Sequence, residues 1–483
     1  MTVAVARRPR PPVRSRPPIA RADLVPPIAA ADLRAWPIVG LLLLYPLWWA
    51  LGLGVIIFPL IAVPMAYMLV RRRILAGTPV RVPPGFLWWM VFLLVVVISI
   101  GMLGANPTGT VPDSLGSRVL AVLFRLVEYG SLTVLMVFVG NLSEKQFPRQ
   151  RLVGLMSWLF GVTVAGGLLG MLAGSFAFDS PIEVMLPAHL RTNTFVQSLV
   201  HPAAAQMMDI LGHPSPRPAA PWGYTNTWGN NFCLLVVWFL VAAYASRETT
   251  RRSKFLAPGI LVVSIAPVIY SLNRGLWIGL GVGAAYVVLR LVARGRLWII
   301  GTLVAALTAL VIALLVTPLG TVVSQRLDNG KSNGIRLYLT DQAIAGIKES
   351  PVIGFGSTRN TEGGRNSITV GSSADCPHCG NFTIGGNGQL WQVIYAHGLV
   401  GTVAYFGFFL YGLWRFRRDR TPIGLAGSTA IVASLVAALW YNSLVTPLAF
   451  ALLAYAALWR NEIDGAAKHS APEQPYRFEV RPR

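Results

Sequence analysis

Apolar segments of about twenty residues recur along almost the whole chain, and this pattern constrains the fold more than any other feature. A helix of that length crosses a hydrocarbon core of about 30 Å, where only helices and closed barrels satisfy the backbone. Hydrophobic residues make up 54% of the 483 residues, and charged residues only 12%. The sequence therefore predicts an all-α polytopic membrane protein and excludes a set of soluble domains.

About twelve predicted transmembrane helices are separated by short connections on one side of the membrane and by two long loops, about 173–227 and 318–388, on the other. Residues 1–35 contain seven Arg and seven Pro and are predicted to form a disordered basic tail. The predicted transmembrane domain is 36–460, and 461–483 form a second tail. The spans lie near residues 37–51, 53–70, 86–103, 119–140, 152–172, 228–245, 257–271, 276–292, 298–317, 389–414, 423–441 and 444–459.

The short connections carry most of the basic residues, and this decides the predicted orientation. Five connections (71–85, 141–151, 246–256, 290–297 and 415–420) hold 18 Lys and Arg against three acids, whereas the opposite side holds ten against nine. Basic residues close to spans favour the cytoplasmic side. Both termini are therefore predicted to be cytoplasmic, and the two long loops are predicted to face outwards.

The net charge of +22 follows from this topology. Basic residues at the ends of spans attract anionic lipid, so we expect the membrane itself, and no nucleic acid, to be their partner.

Arg274 separates two apolar spans on the predicted outer surface, where an arginine is disfavoured. It lies in the sequence Ser271-Leu272-Asn273-Arg274-Gly275. Two interpretations remain open at this stage. The side chain either reaches lipid headgroups, or its guanidinium presents several fixed donors to a phosphate or diphosphate.

The second long loop contains a segment that predicts an amphipathic helix lying on the membrane. Ile335, Leu339 and Ile347 recur at helical spacing, and Pro351 ends the pattern. Arg336 lies near the predicted N-terminus, where the helix dipole and the side-chain charge both favour an anion.

Arg125 and Glu128 lie three residues apart on one face of the fourth predicted span. Charges at membrane depth are expensive and usually face the protein interior. The two residues are interpreted either as a mutually satisfied structural pair or as the polar floor of an outer, substrate-binding site.

Cys376 and Cys379 form a Cys-x-x-Cys motif in the second long loop. Thioredoxin-like chemistry requires a βαβ context that is missing, and zinc requires further ligands that cannot be placed. Because the loop faces a predicted oxidising compartment, a disulfide between the two residues is favoured. It would shape the loop around His378.

Taken in order, these outer motifs resemble the O-antigen ligase and Wzy-type polymerase superfamily of bacterial membrane glycosyltransferases. The resemblance covers about residues 225–420. It consists of Arg274-Gly275 at the start of a span, then Arg336-Leu337-Tyr338 and Ser-Pro-x-x-Gly-x-Gly from Ser350, and then Asn387-Gly388-Gln389 leading to Gly-x-x-Gly from Gly398.

The resemblance implies metal-independent glycan transfer without a cofactor. The donor would be a polyprenyl-diphosphate-linked glycan, and the acceptor would be a hydroxyl of a lipid or glycan at the outer leaflet of a bacterial plasma (inner) membrane. By position, Arg274 and Arg336 would face the phosphates. Asn387 would orient the acceptor, and Gln389 or Trp391 would line the entrance.

One position departs from the ligases, which have His-Asn where this chain has Asn387-Gly388. The family histidine is taken as the base, and an amide cannot accept that proton at neutral pH. His378 is a candidate base because histidine titrates near neutral pH, and Asp341 because it shares the predicted helix with Arg336. A mechanism without a dedicated base also stays open, and the histidines of the first long loop, His201 among them, are expected to be surface residues.

Two other functions remain as alternatives. A transporter or flippase of lipid-linked saccharide would predict inverted repeats, of which the sequence shows no convincing example. A membrane scaffold in a cell-wall assembly complex is the third hypothesis. A composition rich in Ala, Arg, Gly and Pro indicates a high-GC bacterium but identifies neither the sugar nor the acceptor.

Overall fold

The computed structural model describes residues 33–111, 115–209, 214–246, 249–328, 331–361 and 382–470. Within these ranges the chain is mostly helical, as the predicted all-α class requires, and one two-stranded antiparallel hairpin is an addition to it. Nearly all of the predicted tail 1–35 and residues 471–483 lie outside the described residues.

The helices of the first half precede and follow the predicted first long loop. They are α1 (Trp36–Leu43), α2 (Tyr45–Ala50), α3 (Ile57–Ala76), α4 (Phe86–Ile98, continued by a 3₁₀ turn Ser99–Met102), α5 (Leu115–Asn141), α6 (Arg149–Leu172), α7 (Pro181–Met185), α8 (Ala188–Arg191) and α9 (Thr194–Val200). The hairpin pairs β1 (Ala205–Asp209) with β2 (Pro214–Pro218).

The second half has longer helices. They are α10 (Thr225–Tyr244), α11 (Arg251–Tyr270), α12 (Arg274–Val292), α13 (Trp298–Val316), α14 (Leu319–Asp328), α15 (Lys331–Glu349), α16 (Gln389–Arg415), α17 (Pro422–Ala437) and α18 (Thr446–Ser470). α15 covers the predicted amphipathic helix. α18 continues ten residues beyond the predicted transmembrane domain, through Gly465 to Ser470.

Seven helices of the described residues are long and apolar enough to cross a membrane: α5, α6, α10, α11, α12, α13 and α16. Helices also cover the other predicted spans, but most of these are short or interrupted. The first predicted span consists of α1 and α2, which are separated at Leu44 ahead of Pro46, and α17 has only 16 residues. A multi-pass membrane protein follows from these helices, while the number twelve stays a prediction.

α18 lies at the centre of the bundle, and every residue from Val445 to Arg460 is buried. Ala449, Ala451, Ala454, Ala456 and Ala457 allow neighbouring helices to approach closely, as small residues do in membrane bundles. At the opposite extreme, α13 has no buried residue and presents its whole surface to the surroundings.

Glycines join the segment after α15 to a break inside α16. Gly398 has φ 63° and ψ −167°, so the helix is interrupted there. The freed carbonyls of Tyr395 and Ala396 accept hydrogen bonds from the backbone N–H groups of Phe355 (3.1 Å) and Gly356 (2.8 Å). A Cβ at Gly354 would lie 2.6 Å from backbone atoms of α16. The two glycine motifs of the family pattern therefore form one backbone joint, which we call the glycine joint (351–357 and 395–399).

Hydrogen bonds and ion pairs group the short connections at one end of the bundle. Arg72 and Arg81 contact Asn141. Arg149 contacts Glu144 and Asp464. Connections that the charge count assigns to one side thus lie together, and the ends of α11 and α12, the hairpin and α15 meet at the opposite end.

Candidate functional site

Four arginines line one cavity at the end of the bundle that is predicted to face outwards. Arg217 comes from β2, Arg274 from the start of α12, Arg326 from α14 and Arg336 from α15. The volume is about 340 Å³, within the range of about 300–1,000 Å³ typical of ligand pockets. None of the lining residues that the structure describes is acidic. We call this site the arginine cavity.

The turn between α11 and α12 positions the arginines. Leu272 has φ 53°, a left-handed conformation that a residue with a side chain rarely adopts. The carbonyl of Ser271 accepts a hydrogen bond from Arg217 Nε (2.6 Å), and that of Leu272 accepts one from Arg326 Nε (2.8 Å). Arg274 Nη2 donates to the carbonyl of Arg326 (2.8 Å). Backbone strain is thus held at the point where three arginines converge.

The N-terminus of α12 opens onto the same cavity. The side chain of Asn273 caps it by accepting a hydrogen bond from the N–H of Leu276 (3.4 Å). Gly275 follows, and a Cβ at this position would overlap the hydroxyl group of Tyr441. The helix therefore presents its positive end beside the guanidinium groups, and both attract an anion.

Arg336 is held from two directions. Its Nη1 donates to the carbonyl of Trp440 (3.1 Å), and its guanidinium carbon lies 6.0 Å from the centre of the Tyr441 ring. Asn387 Nδ2 donates to the carbonyl of Arg336 (3.3 Å) and to Thr340 Oγ1 (3.0 Å). Asn387 is buried and does not line the cavity. It contacts the helix that carries Arg336, whereas the sequence predicted a contact with the acceptor.

Burial and repulsion by neighbouring arginines lower the pKa values of three of these residues, Arg217, Arg326 and Arg336. Burial lowers the pKa of Arg217 and of Arg326 to about 10, and repulsion by neighbouring arginines, Arg336 among them in both cases, adds to it. The pKa of Arg336 is lowered by burial first and by Arg274 in addition. A bound anion would offset both causes, because it supplies the opposite charge.

The rest of the lining is largely apolar. Met208, Leu272, Ile278 and Trp440 complete the wall, and Ile278 lies on the exposed face of α12. Converging cations beside an apolar helix surface suit an amphiphilic anion, such as a phosphate or diphosphate attached to a lipid chain.

A second cavity, of about 220 Å³, shares the first turn of α10 with the arginine cavity. Tyr224 and Thr227 line this second cavity, whereas Asn226 between them lines the first. Aromatic rings make up much of its wall. We call it the aromatic cavity, and its rings are Tyr45, Trp49, Phe124, Trp222 and Tyr224.

His201 also lines the aromatic cavity and contacts two acids. Its Nδ1 lies 2.8 Å from Glu183 Oε2 and 3.7 Å from Asp179 Oδ1. Ser180 caps α7 by accepting a hydrogen bond from the N–H of Glu183, whose side chain is only 4% exposed. Within the described ranges, these three residues are the group that could hold a metal ion, with ligand atoms all within 4.8 Å of one another.

Gln389 lies inside the bundle, away from both cavities. It is completely buried, its Oε1 accepts from the N–H of Ser443 (2.9 Å), and its Nε2 approaches the Tyr129 hydroxyl (3.4 Å). Both ends of the amide contact neighbouring segments of the protein, so the structure does not bring Gln389 to either cavity, and its contact with substrate stays a prediction.

Arg125 and Glu128 are not paired with each other. Arg125 donates to Ser357 Oγ (3.3 Å) and to Thr358 Oγ1 (3.0 Å), next to the glycine joint. Glu128 is 1% exposed, and no ion pair joins it to Arg125 among the described residues. Neither residue lines the arginine cavity or the aromatic cavity, so the structure does not place them in a polar floor of either.

The candidate base Asp341 is not brought to the arginine cavity. Asp341 is exposed on α15 and does not line it, because five residues along a helix rotate Asp341 by about 140° from Arg336. His378, Cys376 and Cys379 lie outside the described residues, so the predicted base and disulfide there stay predictions.

Sequence reasoning missed Arg217, Arg326 and the pair formed by His201 and Glu183. A signal was present for Arg217, which is an isolated arginine on the predicted outer side, like Arg274. No local sequence pattern predicts the contact between His201 and Glu183, because the two residues lie 18 positions apart and only the folded loop brings them together.

Residues 259–374 match the family model described as Wzy_C, O-Antigen ligase. The match includes Arg274, Arg326 and Arg336 and ends before Asn387. It confirms the predicted resemblance to the O-antigen ligase and Wzy-type family and supports a ligase or polymerase role in polysaccharide synthesis. No curated protein matches the chain significantly.

Proposed function

We propose that this protein, whose chain carries an O-antigen ligase match, transfers a glycan from a polyprenyl-diphosphate carrier to an acceptor hydroxyl at the outer leaflet of the bacterial inner membrane. The observation that carries the proposal is the arginine cavity. It combines four cations, a helix N-terminus and an apolar wall at the predicted outer end of the bundle. These are the features that a lipid-linked diphosphate needs in its binding site.

The proposed reaction depends mainly on the stabilisation of negative charge. The acceptor oxygen attacks the anomeric carbon, and the bond from that carbon to the diphosphate breaks, so negative charge develops on the leaving diphosphate. Arginines held by backbone carbonyls before the reaction stabilise that charge without having to reorganise. Arg274 and Arg336 are proposed as the principal ligands, and Arg217 and Arg326 complete the cavity.

The direct test uses the purified protein in proteoliposomes with a polyprenyl-diphosphate-linked glycan and saccharide or glycolipid acceptors. We expect a new glycosidic bond by mass spectrometry and released polyprenyl diphosphate, without added nucleotide. Movement of the donor across the bilayer with all bonds intact would contradict the proposal and favour a transporter.

The proposed side of the membrane is tested separately by labelling single cysteines in a background without Cys233, Cys376 and Cys379. Met208→Cys, at the arginine cavity, should react with an impermeant reagent added outside intact cells, and Arg73→Cys should not. The same accessibility for both positions would contradict the outer-leaflet assignment.

A further inference from the structure

His201 and Glu183 have the arrangement of an acid–base pair. Glu183 is held on α7 by the Ser180 cap and is almost fully buried, and its Oε2 lies 2.8 Å from His201 Nδ1. His201 itself is partly exposed, at 34% of its side chain. One end of the imidazole is therefore fixed by the protein, while the ring remains accessible from the cavity that it lines.

The partner of Nδ1 determines which nitrogen carries the proton. A carboxylate only accepts hydrogen bonds, so Nδ1 must donate, and in the neutral ring the lone pair is then on Nε2. A histidine oriented in this way by a buried carboxylate is a general base in many unrelated enzymes.

The charged and titratable groups around His201 support this assignment. Asp179 lies farther from Nδ1 than Glu183 does, at 3.7 Å, is 57% exposed, and forms its own ion pair with Arg191 (3.7 Å). Tyr45 and Tyr224 are the other titratable groups of the aromatic cavity, and Tyr45 donates its hydroxyl proton to the carbonyl of Gly54 (3.0 Å). Glu183 is therefore the group that sets the orientation of the imidazole.

The wall of the aromatic cavity is suited to a sugar. Tyr45 and Trp222 are in contact, with ring centres 4.5 Å apart, and Trp49 presents a buried Nε1 for which the described residues provide no acceptor. Aromatic rings pack against the apolar faces of sugar rings, while indole N–H groups and imidazoles bind hydroxyls. Tyr224 and Thr227 line this cavity and Asn226 lines the arginine cavity, so the first turn of α10 forms part of the wall of both.

We propose that the aromatic cavity binds the acceptor saccharide and that His201, positioned by Glu183, is the base that accepts the proton of its hydroxyl group. The inference rests on the proposed transferase function. The acceptor O–H bond breaks as its proton moves to Nε2, and the oxygen forms a bond to the anomeric carbon of the donor. The bond from that carbon to the diphosphate breaks, and its electron pair leaves with the diphosphate. The proton then passes from His201 to solvent.

The experiment compares four variants in the transfer assay with a polyprenyl-diphosphate-linked glycan: His201→Ala, Glu183→Gln, His189→Ala and Asp179→Asn. We expect His201→Ala to lower kcat by about 10²–10⁴-fold and to remove the acidic limb of the pH–rate profile. Glu183→Gln should alter the same limb, because an amide can donate to Nδ1 and stabilise the wrong tautomer. His189, exposed on α8 of the same loop, is the matched control and should retain activity, and Asp179→Asn should change kcat by only a few-fold.

Binding of farnesyl diphosphate, measured by calorimetry, establishes that each variant still folds. Unchanged binding with lost transfer supports the assignment. An unchanged pH profile in His201→Ala would overturn it. Transfer that a chelator abolishes and a divalent cation restores would also overturn it, because Nδ1 would then be a metal ligand beside Asp179 and Glu183. If the unsubstituted protein transfers no glycan, the proposed function itself fails, and the base assignment fails with it.

Discussion

The arginine cavity and the aromatic cavity share the first turn of α10 and are built for different chemistry. The first is lined by four cations and no described acid, and the second by five aromatic residues and a histidine held by a buried carboxylate. A leaving diphosphate needs fixed positive charge, whereas a sugar hydroxyl needs ring surfaces and a proton acceptor. If both proposals hold, the first turn of α10 contributes to the binding of donor and of acceptor.

The two cavities also differ in how their side chains are held. In the arginine cavity, backbone carbonyls of Ser271, Leu272 and Arg326 fix the guanidinium groups. In the aromatic cavity, a side-chain carboxylate fixes the imidazole of His201. Changes in backbone conformation should therefore damage the first cavity more, and changes in side-chain polarity the second.

Among changes to the arginine cavity, removal of an arginine should have the largest effect. Arg274→Ala and Arg336→Ala should each lower kcat/KM for transfer by about 10²–10³-fold, the cost of losing one preorganised donor to developing charge. Substitution by lysine should restore little of this activity, because lysine lacks the planar guanidinium group with its paired donors. Steady-state kinetics with Arg296→Ala, an exposed arginine of a short connection, as control would measure this. Full activity of both lysine variants would show that the cavity requires positive charge but not the planar guanidinium group.

A methyl group at Gly275 should disturb the arginine cavity through the backbone. The new Cβ would overlap Tyr441, which also lies against Arg336. Overpacking costs about 1–3 kcal/mol, so we expect affinity for farnesyl diphosphate to fall about tenfold or more. Calorimetric titration of Gly275→Ala should be compared with Gly281→Ala on the same helix, where the added Cβ meets nothing within 4 Å. Equal affinities would show that the contact does not position the arginines.

Raising the pH should weaken anion binding in the arginine cavity, by a few-fold near pH 10. Arg217 and Arg326 have pKa values lowered to about 10. Their charge is fully present well below that pH and is lost as the pH rises through it, so affinity for sulfate, whose own charge does not change in this range, should be constant from pH 7 to 9 and decline above about 10. Titrations at successive pH values would test this, and a constant affinity up to pH 11 would show that these two arginines do not contribute.

Removal of divalent cations should have the smallest effect. If Nδ1 of His201 donates to Glu183, a chelator should change the transfer rate less than about twofold, because no step requires a metal at that position. Rates before and after EDTA treatment, with the metal content measured by mass spectrometry, would test it. A stoichiometric ion lost together with activity would instead assign Asp179, Glu183 and His201 as its ligands.

The helical fold and part of the site could be predicted because membrane spans and outer arginines leave local signals. Arg274 could be predicted as a site residue because an arginine is disfavoured at the outer end of a span, and Arg336 because it belongs to the motif shared with the family. Arg326 went unnoticed because its role depends on the carbonyl of Leu272, whose left-handed conformation no composition reveals. Asn387 and Gln389 were recognised as polar residues at the start of a span, but only the packing shows that their amides contact the protein.

The glycine joint has a consequence for the lipid environment. It attaches the C-terminal end of α15 to α16, and from Glu349 back to Arg336 the helix spans about 20 Å at 1.5 Å per residue. That length sets the distance between the middle of a membrane helix and the arginine that is proposed to face the donor. The height of the proposed phosphate site would then be fixed by the protein, while the height of a lipid headgroup changes with bilayer thickness. Reconstitution in lipids of increasing chain length should therefore give an optimum of activity, at the thickness where headgroup and arginine coincide.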